Sequence, residues 1–158
     1  MTAVKTLTLT RTFDAPRALV FKAFTDQKML TEWWGPRGFT NPVSEWDARP
    51  GGKIKVVMRA SDEIAKMMGV RDFPCGGEYV EIAAPERLVF ITTATVGSDE
   101  RALVNRNTVT FEDQNGKTKL TLHVVVEHAI PEMAGALGGM EQGWSQSLDK
   151  LGELLATM

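Results

Sequence analysis

The side chains able to do chemistry are few and scattered. His123 and His128 are the two histidines of the chain. On a regular strand their odd spacing sets them on opposite faces, so they do not form a shared metal site. His123 falls in phase with Thr121, which predicts a solvated imidazole. Cys75 stands alone, so neither an intrachain disulfide nor a thiolate metal cluster is available, and no local motif joins it to a histidine as a nucleophile pair. Tyr79 and Glu81 are two apart and share a face of a regular strand. Apolar residues occur on both faces of that segment, so alternation does not say which face points inward. Inward, the pair offers a phenol and a carboxylate, with Arg11 or Arg59 as counter-ion, to orient a polar group on an apolar ligand. Outward, Glu81 is solvated. Asp47 and Arg49 read as hairpin anchors. Gly51-Gly52 and the glycines from Gly135 to Gly139 lack the strand–loop–helix context and the Lys-Ser/Thr of a phosphate loop. No catalytic set, metal site or cofactor is expected.

The elements that must position these groups are organised around the last stretch, Pro131 to Met158. At about 100° per residue, Met133, Ala136, Leu137, Met140, Trp144, Leu148, Leu151, Leu154, Leu155 and Met158 fall within about 120° of arc, interrupted by Ser147. This predicts one long amphipathic helix whose stripe must be buried. Gly135, Gly138, Gly139, Gly143 and Gly152 project away from the arc. Each costs about 1 kcal/mol relative to alanine. The first half of the helix is therefore the weaker half, either a frayed start or a gate into a cavity.

Upstream, Leu7, Leu9 and Phe13 alternate with threonines as a first strand. Arg11 is in phase with them, either at a strand end where its head reaches water or as a buried charge needing an acidic partner. Asp14-Ala15-Pro16 opens a short helix, and Thr25-Asp26 opens a second, which Gly35-Pro36 stops. Trp33 and Trp34 differ by about 100°, so one is expected in the core and the other at a rim. Six strands follow as three pairs: 43–48 with 53–59, 73–83 with 87–96, and 103–112 with 117–127. Residues 60–72 lack strand periodicity and read as a lid-like excursion with a short helical turn.

One strand, two short helices, three hairpins and a long helix make an α+β fold. Consecutive hairpins build an antiparallel sheet of seven strands whose concave face receives the helix. Curvature predicts an apolar pocket between sheet and helix. Its expected lining is Trp33, Met58, Met67, Met68, Tyr79, Glu81, Phe90, Phe111, Leu122, Leu137, Met140, Trp144 and Leu148. The methionines suit adaptable apolar binding.

Composition narrows the setting. The 158 residues fit one domain spanning 1–158. Eighteen basic and twenty acidic side chains leave a net charge of −2, no general reason to bind nucleic acid. Met1-Thr2-Ala3-Val4-Lys5 lacks the apolar core of a signal peptide, and no apolar run approaches the ~20 residues of a membrane span. A cytoplasmic location and no membrane insertion are the expectation.

Several segments resemble the START-like (SRPBCC) superfamily, in the branch of the C-terminal domain of the activator of the heat-shock protein 90 ATPase. They are Phe13-Asp14-Ala15-Pro16 with Val20-Phe21; Thr25-Asp26; Leu30; Trp33-Trp34-Gly35-Pro36; Asp47 to Gly52; Gly77 to Ile82; Pro85 to Val89; and Gly143-Trp144 with Leu148 and Leu151. The resemblance runs almost the full length and implies a helix-grip fold with a ligand-sized cavity. Members of the superfamily include lipid and hormone carriers, polyketide aromatase/cyclases, toxin-sequestering proteins and chaperone-binding domains. The eukaryotic chaperone activators carry a further N-terminal domain not seen here, which weighs against chaperone activation by this chain alone. Fold does not choose among these functions. The leading expectation is a binder of a small or medium hydrophobic ligand, lipid-like or aromatic. The alternatives are an aromatase/cyclase-type enzyme and a protein-interaction module. The expected partner is a small hydrophobic molecule, with a homodimer left open.

Overall fold

The structure, a computed structural model, describes residues 5–158. The reading of Met1 to Val4 as free of a leader lies outside them. Seven strands form one antiparallel sheet in the order β1-β7-β6-β5-β4-β3-β2. They are β1 (Thr6–Phe13), β2 (Phe39–Trp46), β3 (Lys53–Ala60), β4 (Asp72–Ala83), β5 (Arg87–Val96), β6 (Asp99–Gln114) and β7 (Lys117–Ala129). Helices α1 (Arg17–Lys22) and α2 (Gln27–Trp33) follow β1, α3 (Asp62–Met68) joins β3 to β4, and α4 (Ala134–Ala156) closes the chain after a 3-10 turn at Pro131–Met133. The sequence-based architecture holds.

Local chemistry explains the boundaries. The Asp26 carboxylate accepts from the backbone N–H groups of Lys28 (2.9 Å) and Met29 (3.2 Å), capping α2 as expected. Asp14 does not cap α1; Pro16 occupies that position, and no side chain caps it. The β6–β7 hairpin turns through Asn115 (φ 55°) and Gly116 (φ 88°), the left-handed pair that matches strand twist in a tight turn. Residues 60–72, expected as a lid-like excursion with a short helical turn, hold α3, which Ser61 caps and Gly69 ends in a left-handed conformation.

The core lies between the concave sheet face and the helices. Val20, Phe24, Leu30, Trp33, Leu88, Val109, Phe111, Leu120, Leu122, Leu148 and Leu151 are all buried there. Phe111 meets Phe21 and Phe24 edge to face at 5.0 and 5.6 Å.

The stripe on α4 is not buried evenly. Ser147, Leu148, Leu151 and Leu155 are buried, whereas Leu137, Met140 and Trp144 are half-buried and Ala136 is exposed. Ser147 fits the apolar arc because its hydroxyl donates to the Gly143 carbonyl at 2.9 Å. Met158 lies past the helix end and is exposed, not part of the buried stripe.

Polar ties reinforce the asymmetry. Arg11 reaches across from β1 to the Asp149 carboxylate and the Ser145 hydroxyl, both at 2.5 Å, so its head is part-exposed and also has an acidic partner, combining the two readings of its phase. Lys150 donates to the Gly35 carbonyl at 3.0 Å, and burial lowers its pKa. Arg37 pairs with Glu153 and holds that carboxyl below the usual range, while the Arg37 backbone N–H donates to Gln146. The second half of α4 is thus clamped to β1 and to the loop after α2. For the first half, the side-chain ties are Lys5 to the Leu137 carbonyl and Asn105 to Met140.

Candidate functional site

The candidate site is the concave face beneath the first half of α4. Strand register defines its rows. One row runs Val126, Asn105, Thr92, Gly77, Ile54, Trp46, and the next runs Val124, Asn107, Phe90, Tyr79. Cys75, Val56 and Ser44 continue the first side of this face. Gly77 contributes no side chain between Ile54 and Thr92. Its φ is 151°, and a Cβ there would stand 1.9 Å from the Ile91 carbonyl oxygen, so close strand approach requires glycine. Met58, Cys75, Thr92, Met140 and Trp144 are half-buried although they face inward, so solvent reaches this end of the concave face.

The deeper wall is aromatic. Trp34 packs edge to face on Trp46 (4.9 Å) and Trp144 (5.4 Å), and lies 6.2 Å from Phe90. These rings occupy part of the space between the sheet and α4. Open clefts also lie elsewhere. One of about 560 Å³ runs between β1 and α4, where the ion-paired Arg11, Arg37 and Asp149 line it together with the apolar Phe13 and Leu148.

Among the described residues, three carboxamide oxygens are buried without a hydrogen-bond partner: those of Asn41, Asn105 and Asn107. Asn41 serves the fold, since its amide donates to the Thr31 and Trp34 carbonyls and ties α2 to β2. Asn105 and Asn107 belong to the site. Asn107 is 0 % exposed; its amide donates to the Phe90 carbonyl (3.2 Å) and the Thr92 hydroxyl (3.0 Å), and Oδ1 has nothing. Asn105 is 7 % exposed; its Nδ2 meets the Met140 sulfur at 3.9 Å, a weak acceptor, and Oδ1 has nothing. An unsatisfied buried acceptor costs about 1–3 kcal/mol.

The inward groups able to ionise are a thiol and a phenol. Burial pushes the Cys75 thiol up to about 11. Burial also raises the Tyr79 phenol well above its ordinary value, and its hydroxyl donates to the Phe24 carbonyl at 3.0 Å. Both are neutral near pH 7. Among the described residues, no cluster of His, Cys, Asp and Glu could hold a metal ion.

Of the residues chosen from sequence, Tyr79, Phe90, Met58, Met140, Trp144 and Leu148 belong to the core between sheet and α4 or pack against it, and Leu137 is half-buried on α4. Five stand away from the recess and one on the other side of the sheet's pleat. Trp33 is fully buried against Phe24, its indole donating to the Ala23 carbonyl at 2.8 Å; Trp34 takes the place expected of it. Phe111 and Leu122 fill the closed end of the core, Phe111 beneath α1. Met67 and Met68 are exposed on α3, 82 % and 55 %. Glu81 faces outward. Tyr79 pairs with Phe90 and Glu81 with Val89, adjacent residues of β5, so Val80 is the extra residue of a β-bulge and reverses the phase. Glu81 pairs with Arg87 at 2.7 Å, and Arg59 with Asp72 at 2.9 Å. His123 is exposed and meets the Thr8 hydroxyl at 2.9 Å, as its phase predicted.

Sequence reasoning missed Asn105, Asn107, Thr92 and Trp34. The two asparagines alternate in phase with Val109 and Phe111, and two amides inside an apolar period were the available signal.

A curved antiparallel sheet gripping a long C-terminal helix defines the START-like helix-grip class. Residues 14–156 match the family described as Activator of Hsp90 ATPase homolog 1-like protein, and the chain belongs to it. Solved structures agree. Protein CV1439 from Chromobacterium violaceum is 26 % identical, with a TM-score of 0.78 over 95 % of this chain and 96 % of that one. Protein NE0264 from Nitrosomonas europaea is 25 % identical, with a TM-score of 0.75 over 96 % and 94 %. A protein of Silicibacter pomeroyi named AHSA1 shares the fold at 22 % identity and a TM-score of 0.76, over 97 % and 99 %. No curated protein matches the chain. Folds of this class commonly bind hydrophobic ligands. Among the described residues, no helix is long and apolar enough to cross a membrane.

Proposed function

We propose that this chain binds a small or medium, mostly apolar molecule on the concave face beneath the first half of α4. The observation that carries the reading is the pair Asn105 and Asn107: two buried carboxamides with unpartnered oxygens, beneath a helix segment that is only half packed. A core built for stability alone places apolar side chains there. Ligand entry displaces Met140 and Trp144, a movement that the first half of α4, with its four solvent-facing glycines, opposes weakly. Binding is shape-selective burial, and α4 acts as the gate. Acid–base chemistry needs an inward group that ionises near neutrality, and Tyr79 and Cys75 are both pushed away from it.

The test is titration of the purified protein with a neutral environment-sensitive fluorophore such as N-phenyl-1-naphthylamine. Saturable binding with quenching of tryptophan emission is expected, weakened by Trp144→Ala. Native mass spectrometry of freshly purified protein is the companion measurement, since a retained molecule reports its own mass. No saturable binding across a broad hydrophobic library sinks this reading. It would favour a protein-interaction module, for which Met67, Met68 and Val70, exposed together around the end of α3, are the supporting observation.

A further inference from the structure

The recess is specific about polarity as well as shape, and this inference rests on the ligand-binding reading above. The groups that lack partners are acceptors: the Oδ1 atoms of Asn105 and Asn107. Both residues lie on β6, two positions apart, and face the same way, which separates them by about 6–7 Å at strand rise. Of the adjacent polar side chains, the Thr92 hydroxyl accepts from Asn107 and the Tyr79 hydroxyl donates to Phe24.

Charge is missing from these rows. Arg11 is spent on Asp149 and Ser145, and Arg59 and Glu81 lie in ion pairs with Asp72 and Arg87. A carboxylate or ammonium brought beneath α4 would lose water without gaining a counter-ion, which burial penalises heavily. A neutral acceptor would leave the orphaned oxygens as they are. A neutral donor satisfies them.

We infer that the ligand is a neutral, mostly apolar molecule bearing two hydrogen-bond donors, hydroxyl or N–H, about 6–7 Å apart, which displace Met140 and bond to Asn105 and Asn107. Met140 is the stand-in of the closed state: its thioether covers Asn105 and accepts one weak bond from it. Ligand donors restore full pairing to groups that the empty protein leaves short. Fatty-acid anions are selected against although their tails would suit the apolar walls.

Isothermal calorimetry on the full chain tests this with three probes sharing one ring system: 2,7-dihydroxynaphthalene, its dimethyl ether, and 2-naphthoate. The diol is expected to bind at least tenfold more tightly than either of the others. Asn105→Leu and Asn107→Leu, each checked for folding by near-ultraviolet circular dichroism, are expected to cut the preference to threefold or less and to leave ether binding as tight or tighter. A diol preference that survives in a folded variant overturns the assignment of the asparagines. Equal or tighter binding of the ether or the carboxylate by the unaltered protein overturns the inference without any variant, as does a diol that fails to displace a bound neutral fluorophore. In both cases the binding reading stands if that fluorophore still binds; if neither fluorophore nor probe binds, both fall.

Discussion

The carboxamide nitrogen of Asn105, on the sheet, meets the sulfur of Met140, on the closing helix, at 3.9 Å. This is a poor bond for a buried amide, and the oxygen of the same group has none. The empty protein is therefore less stable than its apolar packing allows. Asn105→Leu, which keeps the same branched skeleton of four heavy atoms, is expected to raise the stability by about 1 kcal/mol, read as a higher urea midpoint at unchanged m-value, while weakening ligand binding. A lower midpoint would mean that Asn105 is satisfied in the folded protein.

The glycines of α4 should control the rate of entry. A Cβ added at Gly138 or Gly139 meets nothing within 4 Å. Alanine at each is expected to stabilise the helix by about 0.5–1 kcal/mol. Amide hydrogen exchange over residues 134–143 should slow, and stopped-flow association of the fluorophore should slow with it. Unchanged association with slower exchange would separate entry from helix opening.

Tyr79 and Glu81 should behave as opposites. Tyr79→Phe strands the buried Phe24 carbonyl and is expected to cost about 1–2 kcal/mol in urea unfolding. Glu81→Gln loosens an exposed pair with Arg87, expected to change stability by less than about 0.5 kcal/mol and to leave ligand binding unaltered.

Cys75 should mark the alkaline limit of stability. Burial raises its folded pKa from 9.0 to about 11, so the folded protein holds the proton more tightly than the unfolded chain. The contribution is complete below about pH 9 and lost as pH rises toward about 11, amounting to about 2–3 kcal/mol. Tyr79, also raised, adds loss in the same direction. Urea midpoints of Cys75→Ala should fall less steeply over pH 9–11 than those of the unaltered protein.

The position of Glu81 illustrates what a strand pattern can and cannot yield. A period of two set Tyr79 and Glu81 on one face, but the extra residue at Val80 rotates the strand between them. A bulge is decided by pairing with β5, which the β4 sequence does not contain. Met67 and Met68 were legible as apolar and flexible, yet where α3 docks is settled by β2 and β3. Trp33 and Trp34 were rightly separated onto two directions; which one enters the core depends on Phe24 and on the Ala23 carbonyl that accepts from the Trp33 indole, both just past the end of α1.

Sequence alone determined the element order, the antiparallel sheet, the closing amphipathic helix and the glycine-rich composition of its first half. These follow from local periodicity, caps and turns, which neighbouring residues encode. Tertiary structure decided that Trp34 meets Trp46 and Trp144 under the helix, that ion pairs with β1 and the loop after α2 clamp its second half, and that Asn105 and Asn107 lie buried without full pairing. Those outcomes depend on distances between residues far apart in the chain, and a pattern of types carries no such distances.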